Sequence, residues 1–330
     1  MEAIQKQPFD LEKINTQSED DLFYFVEQNP NASERITAPR YSYWKSVFRI
    51  FFHKKTNIIA LSILGLILIM CYIFPLFFPY DPYAHLIEPG MMNLSPSEAI
   101  AKNGFSLEWI LGTGDVGNSI FYGIWTSARI SLTLAFICAA INMTIGVILG
   151  AVWGYNKTVD TVLNVIYNII ANIPFILLIS VMVYILGRGF GSFIFALTIT
   201  GWLGIAYFMR TQVLIIRDRE YNLASRCLGT PMLRIVTKNV LPYLTSVIVT
   251  LLASEIPSYI GYEVYLTYLG IGMSAEVPSI GHMIGDAQTG WTNYPWAFWS
   301  PVLVSAVITI ILYLVGQNLA DASDPRSHMK

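Results

Sequence analysis

The chain has 330 residues and a formal net charge of −2, and 54% of its residues are hydrophobic while only 13% are charged. A soluble domain of this length carries about a quarter charged residues. The composition therefore excludes an ordinary soluble globular protein and indicates a surface that faces lipid. We expect a lipid bilayer as the environment and no nucleic acid as a partner.

The N-terminal part of the chain divides into two stretches of different composition. Residues 1–40 are polar and acid-rich and contain three prolines, which predicts a poorly ordered cytoplasmic tail. Residues 41–52 alternate aromatic and basic side chains, a pattern typical of a helix at the level of the lipid headgroups. The pattern is explained equally well if this stretch is only the flank of the first membrane span.

Membrane spans are predicted from apolar runs of about 20 residues, the length needed to cross a bilayer. Six segments meet this condition: 57–78, 130–153, 162–186, 193–214, 243–269 and 298–320. The chain is accordingly divided into a tail (1–40), an interfacial helix with the first span (41–80), an extracytoplasmic loop (81–128), a five-helix core (129–320) and a C-terminal tail (321–330). Prolines in the extracytoplasmic loop argue against another long helix there.

The distribution of Lys and Arg predicts the orientation, because cytoplasmic loops retain positive charge. Four basic residues lie close to the entrance of the first span: Lys45, Arg49, Lys54 and Lys55. With six crossings both termini are then cytoplasmic, as are the loops 154–161 and 215–242. The external side keeps only Lys102, Arg129 and Arg188, and the loop 271–297 has neither Lys nor Arg. We expect a multi-pass protein of a prokaryotic plasma membrane.

Sequence patterns of catalysis are missing from the chain. It has no Gly-Lys pair, which a phosphate-binding Gly-x4-Gly-Lys-Ser/Thr loop requires. Its four histidines are scattered without a metal-binding helix or a Cys-x-x-Cys pair, and no Gly-x-Ser-x-Gly nucleophile turn occurs. We expect no enzyme, and no catalytic, cofactor-binding or metal-binding residues on this chain.

Three asparagines follow a helical spacing in the third predicted span. Asn164, Asn168 and Asn172 are four residues apart, which places their amides on one face of a helix. Pro174 follows, where a kink is expected to open the bundle. The amides either line a solvated path for a solute or form hydrogen bonds between helices.

The fifth predicted span repeats this spacing with ionisable groups. Glu255, Tyr259 and Glu263 are four residues apart, with Pro257 between them. A carboxylate in the middle of a membrane costs about 2.5–3.5 kcal/mol on insertion scales. We therefore favour a function for the glutamates in a pore or in a buried gating network over simple packing.

Gly146, Gly150 and Gly154 recur every four residues at the end of the second predicted span. Such a stripe gives a flat groove for close approach of another helix. The expected use is packing within the chain, and the alternative is a seam with a second subunit.

The polar, basic segment 220–242 lies between two apolar spans and reads EYNLASRCLGTPMLRIVTKNVLP. Its spacing resembles the EAA loop through which ABC-importer permeases hold their ATPase subunits. The residues that carry this resemblance are Glu220, Tyr221, Ala224, Ser225, Arg226, Gly229, Arg234 and Pro242. Leu223-Ala224-Ser225 stands in place of the family's Glu-Ala-Ala. The docking ion pair that the family's glutamate forms is therefore absent here, unless Glu220 forms it instead.

A wider set of motifs is similar, in the same order, to oligopeptide and dipeptide permeases of the C-subunit type. The set covers roughly residues 41–326. It comprises Leu111-Gly112-Thr113, Asp115, Gly117, Ala128-Arg129-Ile130-Ser131-Leu132, Asp160, Asn172-Ile173-Pro174, Glu263, Leu266-Thr267-Tyr268-Leu269-Gly270-Ile271-Gly272, Pro278-Ser279-Ile280-Gly281 and Asp321-Ala322-Ser323-Asp324-Pro325-Arg326.

The resemblance implies an all-α, type I ABC importer permease fold with six transmembrane helices. Two short coupling helices, about 220–228 and 231–239, then lie between the fourth and fifth spans. The implied partners are a second homologous permease subunit, two ATPase subunits that bind ATP and Mg, and an extracytoplasmic peptide-binding protein. The implied function is one half of an ATP-driven import path for oligopeptides or dipeptides.

Other functions stay open at this stage. An ion-coupled secondary transporter or channel using Glu255 and Glu263 stops when the ion gradient collapses, whereas an ABC importer stops when ATP hydrolysis is blocked. An ABC permease for nickel or another small solute fits the same motifs. A membrane scaffold without any transported solute is a third alternative.

Overall fold

A computed structural model describes residues 42–83, 85, 88 and 90–324 of the chain. The tail predicted over residues 1–40 lies outside the described residues. The same holds for residues 325–330 of the predicted C-terminal tail.

The described part of the chain consists of helices and their connecting loops. Its β structure is limited to an isolated bridge between Thr113 and Ser119. The helices are α1 Tyr43–His53, α2 Lys55–Tyr72, α3 Phe74–Phe77, α4 Pro96–Asn103, α5 Ile120–Tyr155, α6 Lys157–Ala171, α7 Phe175–Leu186, α8 Phe190–Arg217, α9 Glu220–Cys227, α10 Met232–Ile235, α11 Leu241–Tyr243, α12 Thr245–Tyr268, α13 Ile280–Ala287 and α14 Pro295–Ser323. A π-helical turn, Val236–Val240, joins α10 to α11.

Among the described residues, five helical segments are long and apolar enough to cross a membrane: Lys55–Phe77, α5, α8, α12 and α14. The pair α6 and α7 passes the same test together, with a bend of 84° between the two helices. The bend lies at Asn172–Pro174, because Pro174 precedes the first residue of α7 and a residue before proline disfavours helical geometry. The predicted kink is therefore present.

The bent pair connects the two sides of the bundle. Near the start of α6, Asp160 forms an ion pair with Arg210, close to the end of α8. After the end of α7, the carbonyl of Arg188 accepts a hydrogen bond from the amide of Ser274, which follows α12 (2.7 Å). The pair thus counts as one span, and the predicted all-α architecture with six membrane-spanning segments is confirmed.

The central helix, α5, begins earlier than hydropathy indicates. It starts at Ile120, so its first two turns and more fall within the range 81–128 that the sequence assigns to the extracytoplasmic loop. Ser119 caps the helix by accepting a hydrogen bond from the Tyr122 amide (3.3 Å) and donates one to the Glu108 carbonyl (2.7 Å). The helix therefore begins at a capping residue, outside the apolar run from which a span is predicted.

The glycine stripe on α5 packs against α8. A Cβ atom added to Gly146 would lie 2.6 Å from Ile205, one added to Gly150 would lie 2.5 Å from the Ala206 carbonyl, and one added to Gly154 would lie 2.7 Å from the Arg210 carbonyl. Real Cβ atoms do not approach other heavy atoms this closely. The expected packing within the chain is confirmed, because the stripe is already filled by α8.

One end of the bundle carries the segment between α8 and α12, the end of α5 and the end of α14. Following the six spans, α1 at the start of α2 lies at this same end. The opposite end carries α4, with a side-chain core of Met91, Ala99 and Trp109, and α13, which packs against α5, α12 and α14.

Candidate functional site

The segment between α8 and α12, residues 218–244, forms a helical hairpin that we call the coupling segment. Its first helix is α9, and its second runs from Met232 through the π-helical turn to Val240. Gly229 lies in the turn between them with φ of 74°. A side chain there meets no atom within 4 Å, so the backbone conformation, not lack of space, favours glycine.

Two asparagines, one buried and one half-buried, join the two helices of the hairpin. The side chain of Asn222, which is fully buried, donates a hydrogen bond to the Ile216 carbonyl of α8 (3.0 Å). Asn239 on the second helix donates to the Asn222 side-chain oxygen (3.2 Å) and to the Ser225 hydroxyl (3.4 Å). The two short helices and the end of α8 are therefore joined by one amide network, which sequence reasoning did not identify.

The inner face of the coupling segment is apolar. Ile235, Val236 and Val240 are buried and pack in one cluster with Met209 and Val213 of α8. Helices this short are marginal alone in water and depend on such packing. The coupling segment therefore packs against the end of α8 and is not a free loop.

Ion pairs and hydrogen bonds attach α9 to the ends of α8 and α5. Arg226 donates to the Asp218 carboxylate and to the Arg217 carbonyl (both 3.1 Å), and Arg217 forms an ion pair with Asp218 (3.2 Å). The guanidinium of Arg226 also lies 5.3 Å from the ring centroid of Tyr155 at the end of α5. The hydrogen bond from Arg217, followed by that from Arg226, lowers the pKa of Asp218. Arg226, predicted for ATPase coupling, therefore contacts its own chain.

The outer face of the coupling segment is exposed and contains large apolar side chains. Leu228 is 85% exposed and Leu233 is 67% exposed, and both lie outside the spans that lipid covers. Exposed apolar groups clustered on a polar segment indicate a protein-binding surface.

The other predicted coupling residues differ in exposure. Five of them are exposed: Glu220, Tyr221, Ala224, Arg234 and Pro242. Ser225 is half-buried, and its hydroxyl donates a hydrogen bond to the Tyr221 carbonyl.

The predicted asparagine stripe bonds within its own helix. Asn164 donates to the carbonyl and the carboxylate of Asp160 (2.9 and 2.6 Å), and Asn172 donates to the carbonyl of Asn168. No side chain of α6 is buried. The stripe therefore forms no hydrogen bonds to another helix here, and its role in a solute path stays a prediction.

Asp160 belongs to a polar and aromatic cluster that joins α5, α6 and α8. Its carboxylate accepts hydrogen bonds from Arg210 (Nη2, 3.1 Å) and from the Trp153 indole (2.9 Å). Tyr167 and Tyr207 stack beside it with ring centroids 4.3 Å apart. The sequence marked Asp160 only as a motif residue and did not reveal its partner fifty positions away.

Glu263 lies at a three-way junction in the bundle. It is fully buried, and its carboxylate accepts hydrogen bonds from the hydroxyls of Ser131 on α5 (2.6 Å) and Thr267 (3.2 Å). The Ser131 hydroxyl in turn accepts from the amide of Ile280, the first residue of α13 (3.3 Å). This arrangement suits a buried network that joins α5, α12 and α13.

Tyr259, one turn earlier on α12, is also buried. The Asn142 side chain on α5 donates to the Tyr259 hydroxyl (2.6 Å) and to the Leu197 carbonyl on α8 (3.3 Å). Glu255, one turn earlier still, is half-buried. The three residues predicted on α12 thus share one face, which packs against α5 in this structure.

Comparisons with known proteins agree with one another. The model of the family described as binding-protein-dependent transport system inner membrane component matches residues 142–328, and that of the N-terminal TM domain of oligopeptide transport permease C matches residues 42–96. The oligopeptide transport system permease protein AmiD of Streptococcus pneumoniae is 43% identical, over 93% of this chain and 97% of its own length. The oligopeptide permease protein OppC of Bacillus subtilis is 31% identical (92% and 97%), and the dipeptide permease protein DppC of that species is 30% identical (94% and 95%).

Proposed function

The chain belongs to the family of binding-protein-dependent transport system inner membrane components, and on this premise we propose that it forms half of the import path of an ATP-driven peptide transporter. The peptide substrate is inferred from the similar proteins, whose names specify oligopeptide and dipeptide transport. This chain is a permease subunit and not an enzyme, and ATP hydrolysis belongs to separate ATPase subunits, which bind ATP and Mg.

The observation that carries the proposal is the coupling segment. It presents exposed Leu228 and Leu233 on its outer face, while Ile235 and Val240 and the amide network fix its inner face to α8. A short amphipathic helix of this kind docks into an apolar groove of a partner. Movement of an ATPase subunit would then be passed to α8 without being absorbed by a flexible loop.

The proposed assembly contains a second homologous permease subunit, two ATPase subunits and an extracytoplasmic peptide-binding protein. ATPase closure would rock the two permease subunits between outward and inward openings. The coupling segment faces the cytoplasm in this proposal, and so do both termini. The excess of Lys and Arg at that end of the bundle supports this orientation.

An ion-coupled carrier that uses Glu263 as a relay is less well supported. Its carboxylate is surrounded by Ser131, Thr267 and the backbone around Ile280. A relay requires a proton or cation acceptor that continues along a path. The hydroxyl partners of Glu263 connect one helix to another, and the ring of the nearby His282 is hydrogen-bonded to the Met273 carbonyl (2.9 Å). We assign Glu263 to the buried network.

Reconstitution in proteoliposomes tests the proposal. The chain is coexpressed with its candidate partner subunits, purified, and assayed for uptake of a labelled peptide and of nickel. The expected result is peptide uptake that requires ATP and the binding protein and that survives collapse of ion gradients. Uptake that follows an ion gradient without ATP would contradict the importer function, and ATP-dependent uptake of nickel alone would contradict the peptide substrate.

A further inference from the structure

Helix α1 lies across the end of α14 and does not extend the axis of α2. The Tyr43 hydroxyl at its start donates to the Ser323 carbonyl (2.7 Å), and Val47 and Phe51 pack on Ala322. A straight continuation of α2 would carry residue 43 about 18 Å beyond residue 55, at 1.5 Å per residue. Both ends of α1 instead contact the last turns of α14.

The turn between the two helices is fixed by a buried side chain. Asn57, in the first turn of α2, donates its side-chain amide to the Phe51 carbonyl near the end of α1 (3.0 Å) and is 2% exposed. Lys54 between the helices is extended, with φ of −86° and ψ of 119°. The direction of α1 relative to the bundle is therefore held by specific contacts.

Helix α1 has three distinct sectors around its axis. At about 100° per residue, one sector packs on the protein through Val47 and Phe51. The neighbouring sector exposes an aromatic stripe of Trp44, Phe48 and Phe52, which are 50%, 51% and 48% exposed and whose consecutive rings lie 6.4 and 6.5 Å apart.

The third sector carries positive charge. Lys45 and Arg49 are exposed on it, and Lys54 and Lys55 follow directly in the chain. No acidic residue lies anywhere in α1, whose sequence is YWKSVFRIFFH. A cationic sector beside an aromatic sector at the end of a membrane span matches the order of phosphate groups and acyl chains at a bilayer surface.

We propose that α1 is a binding surface for the headgroups of anionic phospholipids at the end of the bundle that carries the coupling segment. Trp44, Phe48 and Phe52 enter the boundary between headgroups and acyl chains. Lys45 and Arg49 bind the lipid phosphates. The contacts of α1 with Ser323 and Ala322 link the bound lipid to α14.

The test uses the chain purified in detergent with the subunits that copurify with it. Thermal stability is measured during titration with phosphatidylglycerol, with phosphatidylcholine and with glycerol 3-phosphate. The expected result is a stabilisation by phosphatidylglycerol alone. In the double variant Lys45→Gln/Arg49→Gln, the phosphatidylglycerol concentration needed for half of the effect rises about 30-fold, and it rises about 5-fold in either single variant.

The matched control, Lys45→Arg/Arg49→Lys, swaps the two basic side chains and keeps both positive charges. It is expected to behave like the wild type. Lys102→Gln, on the opposite side of the bundle, serves as the second control. A titration of the double variant that superimposes on the wild type would overturn the proposal. Equal stabilisation by glycerol 3-phosphate would also overturn it, because the site would then bind a free anion. If the double variant is not recovered, the single variants decide by the same criteria.

Discussion

Asn239 donates a hydrogen bond to the side chain of Asn222 (3.2 Å), and Asn222 donates to the Ile216 carbonyl (3.0 Å), so both helices of the coupling segment are joined to α8 through one buried amide. Asn222 can fill this position because an amide supplies a donor and an acceptor at once. Neither a carboxylate nor an apolar side chain does both.

Replacing Asn222 is expected to uncouple the proposed partners. Asn222→Ala removes the buried side chain that joins Asn239 to the Ile216 carbonyl, and losing such hydrogen bonds costs about 0.5–1.5 kcal/mol each. We expect at least a several-fold loss of peptide uptake per ATP hydrolysed, with the chain still inserted in the membrane. Asn293→Ala, an exposed residue at the opposite end, is the control. An unchanged ratio of uptake to hydrolysis in Asn222→Ala would contradict the role of the amide network.

The coupling segment is tested directly by Ala224→Glu and Gly229→Val. The first places a charge on the exposed surface expected to enter an ATPase groove. The second forces a β-branched residue to a φ of 74°, which costs roughly 1–2 kcal/mol or more. We expect loss of ATPase copurification with normal membrane insertion. Ala224→Ser and Gly229→Asn are the matched controls, since asparagine tolerates positive φ. Normal ATP-dependent uptake by both test variants would remove the coupling role.

Glu263 is expected to act through assembly. Glu263→Gln keeps one oxygen acceptor for the hydroxyls of Ser131 and Thr267, whereas Glu263→Leu leaves both hydroxyls buried without it. We expect near-normal amounts of protein for the glutamine variant and a clear decrease for the leucine variant, measured by size-exclusion chromatography. Uptake lost in both variants at normal protein levels would instead indicate contact with solute.

Gly150 is expected to tolerate no side chain. A Cβ atom at this position would lie 2.5 Å from the Ala206 carbonyl, whereas one at Gly204 on α8 meets no atom within 4 Å. Gly150→Ala should therefore lower stability by about 1–3 kcal/mol through overpacking, and Gly204→Ala should be neutral or slightly stabilising. Melting of the purified protein measures both. Equal stability of the two variants would show that α5 and α8 separate readily.

The orientation is tested with single cysteines in a background that lacks Cys71, Cys138 and Cys227. Cysteines at Asn103 and Ala287 should react with an impermeant thiol reagent in intact cells. One at Thr237, which is exposed on the coupling segment, should react only after the membrane is opened. Labelling of position 237 from outside would contradict the cytoplasmic location of the coupling segment.

The sequence predicted the spans, the kink before Pro174 and the turn at Gly229, because apolar runs, prolines and turn glycines act locally. It did not predict the pair Asn222 and Asn239, since no local pattern shows which side-chain amides meet in the fold. The helical spacing of Asn164 and Asn168 correctly predicts a shared face. Spacing alone does not say what that face contacts, and here the amide of Asn164 bonds within α6.

The glycine contacts between α5 and α8 also determine which parts of the subunit can move against each other. Gly150 meets the Ala206 backbone and the Met209 Cβ atom, neither of which moves with a change of rotamer, so sliding requires the two backbones to separate. We therefore expect the two helices to move together as one rigid unit, with the coupling segment attached at its end. We expect deformation during a transport cycle to fall instead on the bend at Asn172–Pro174, where α6 and α7 meet at 84°.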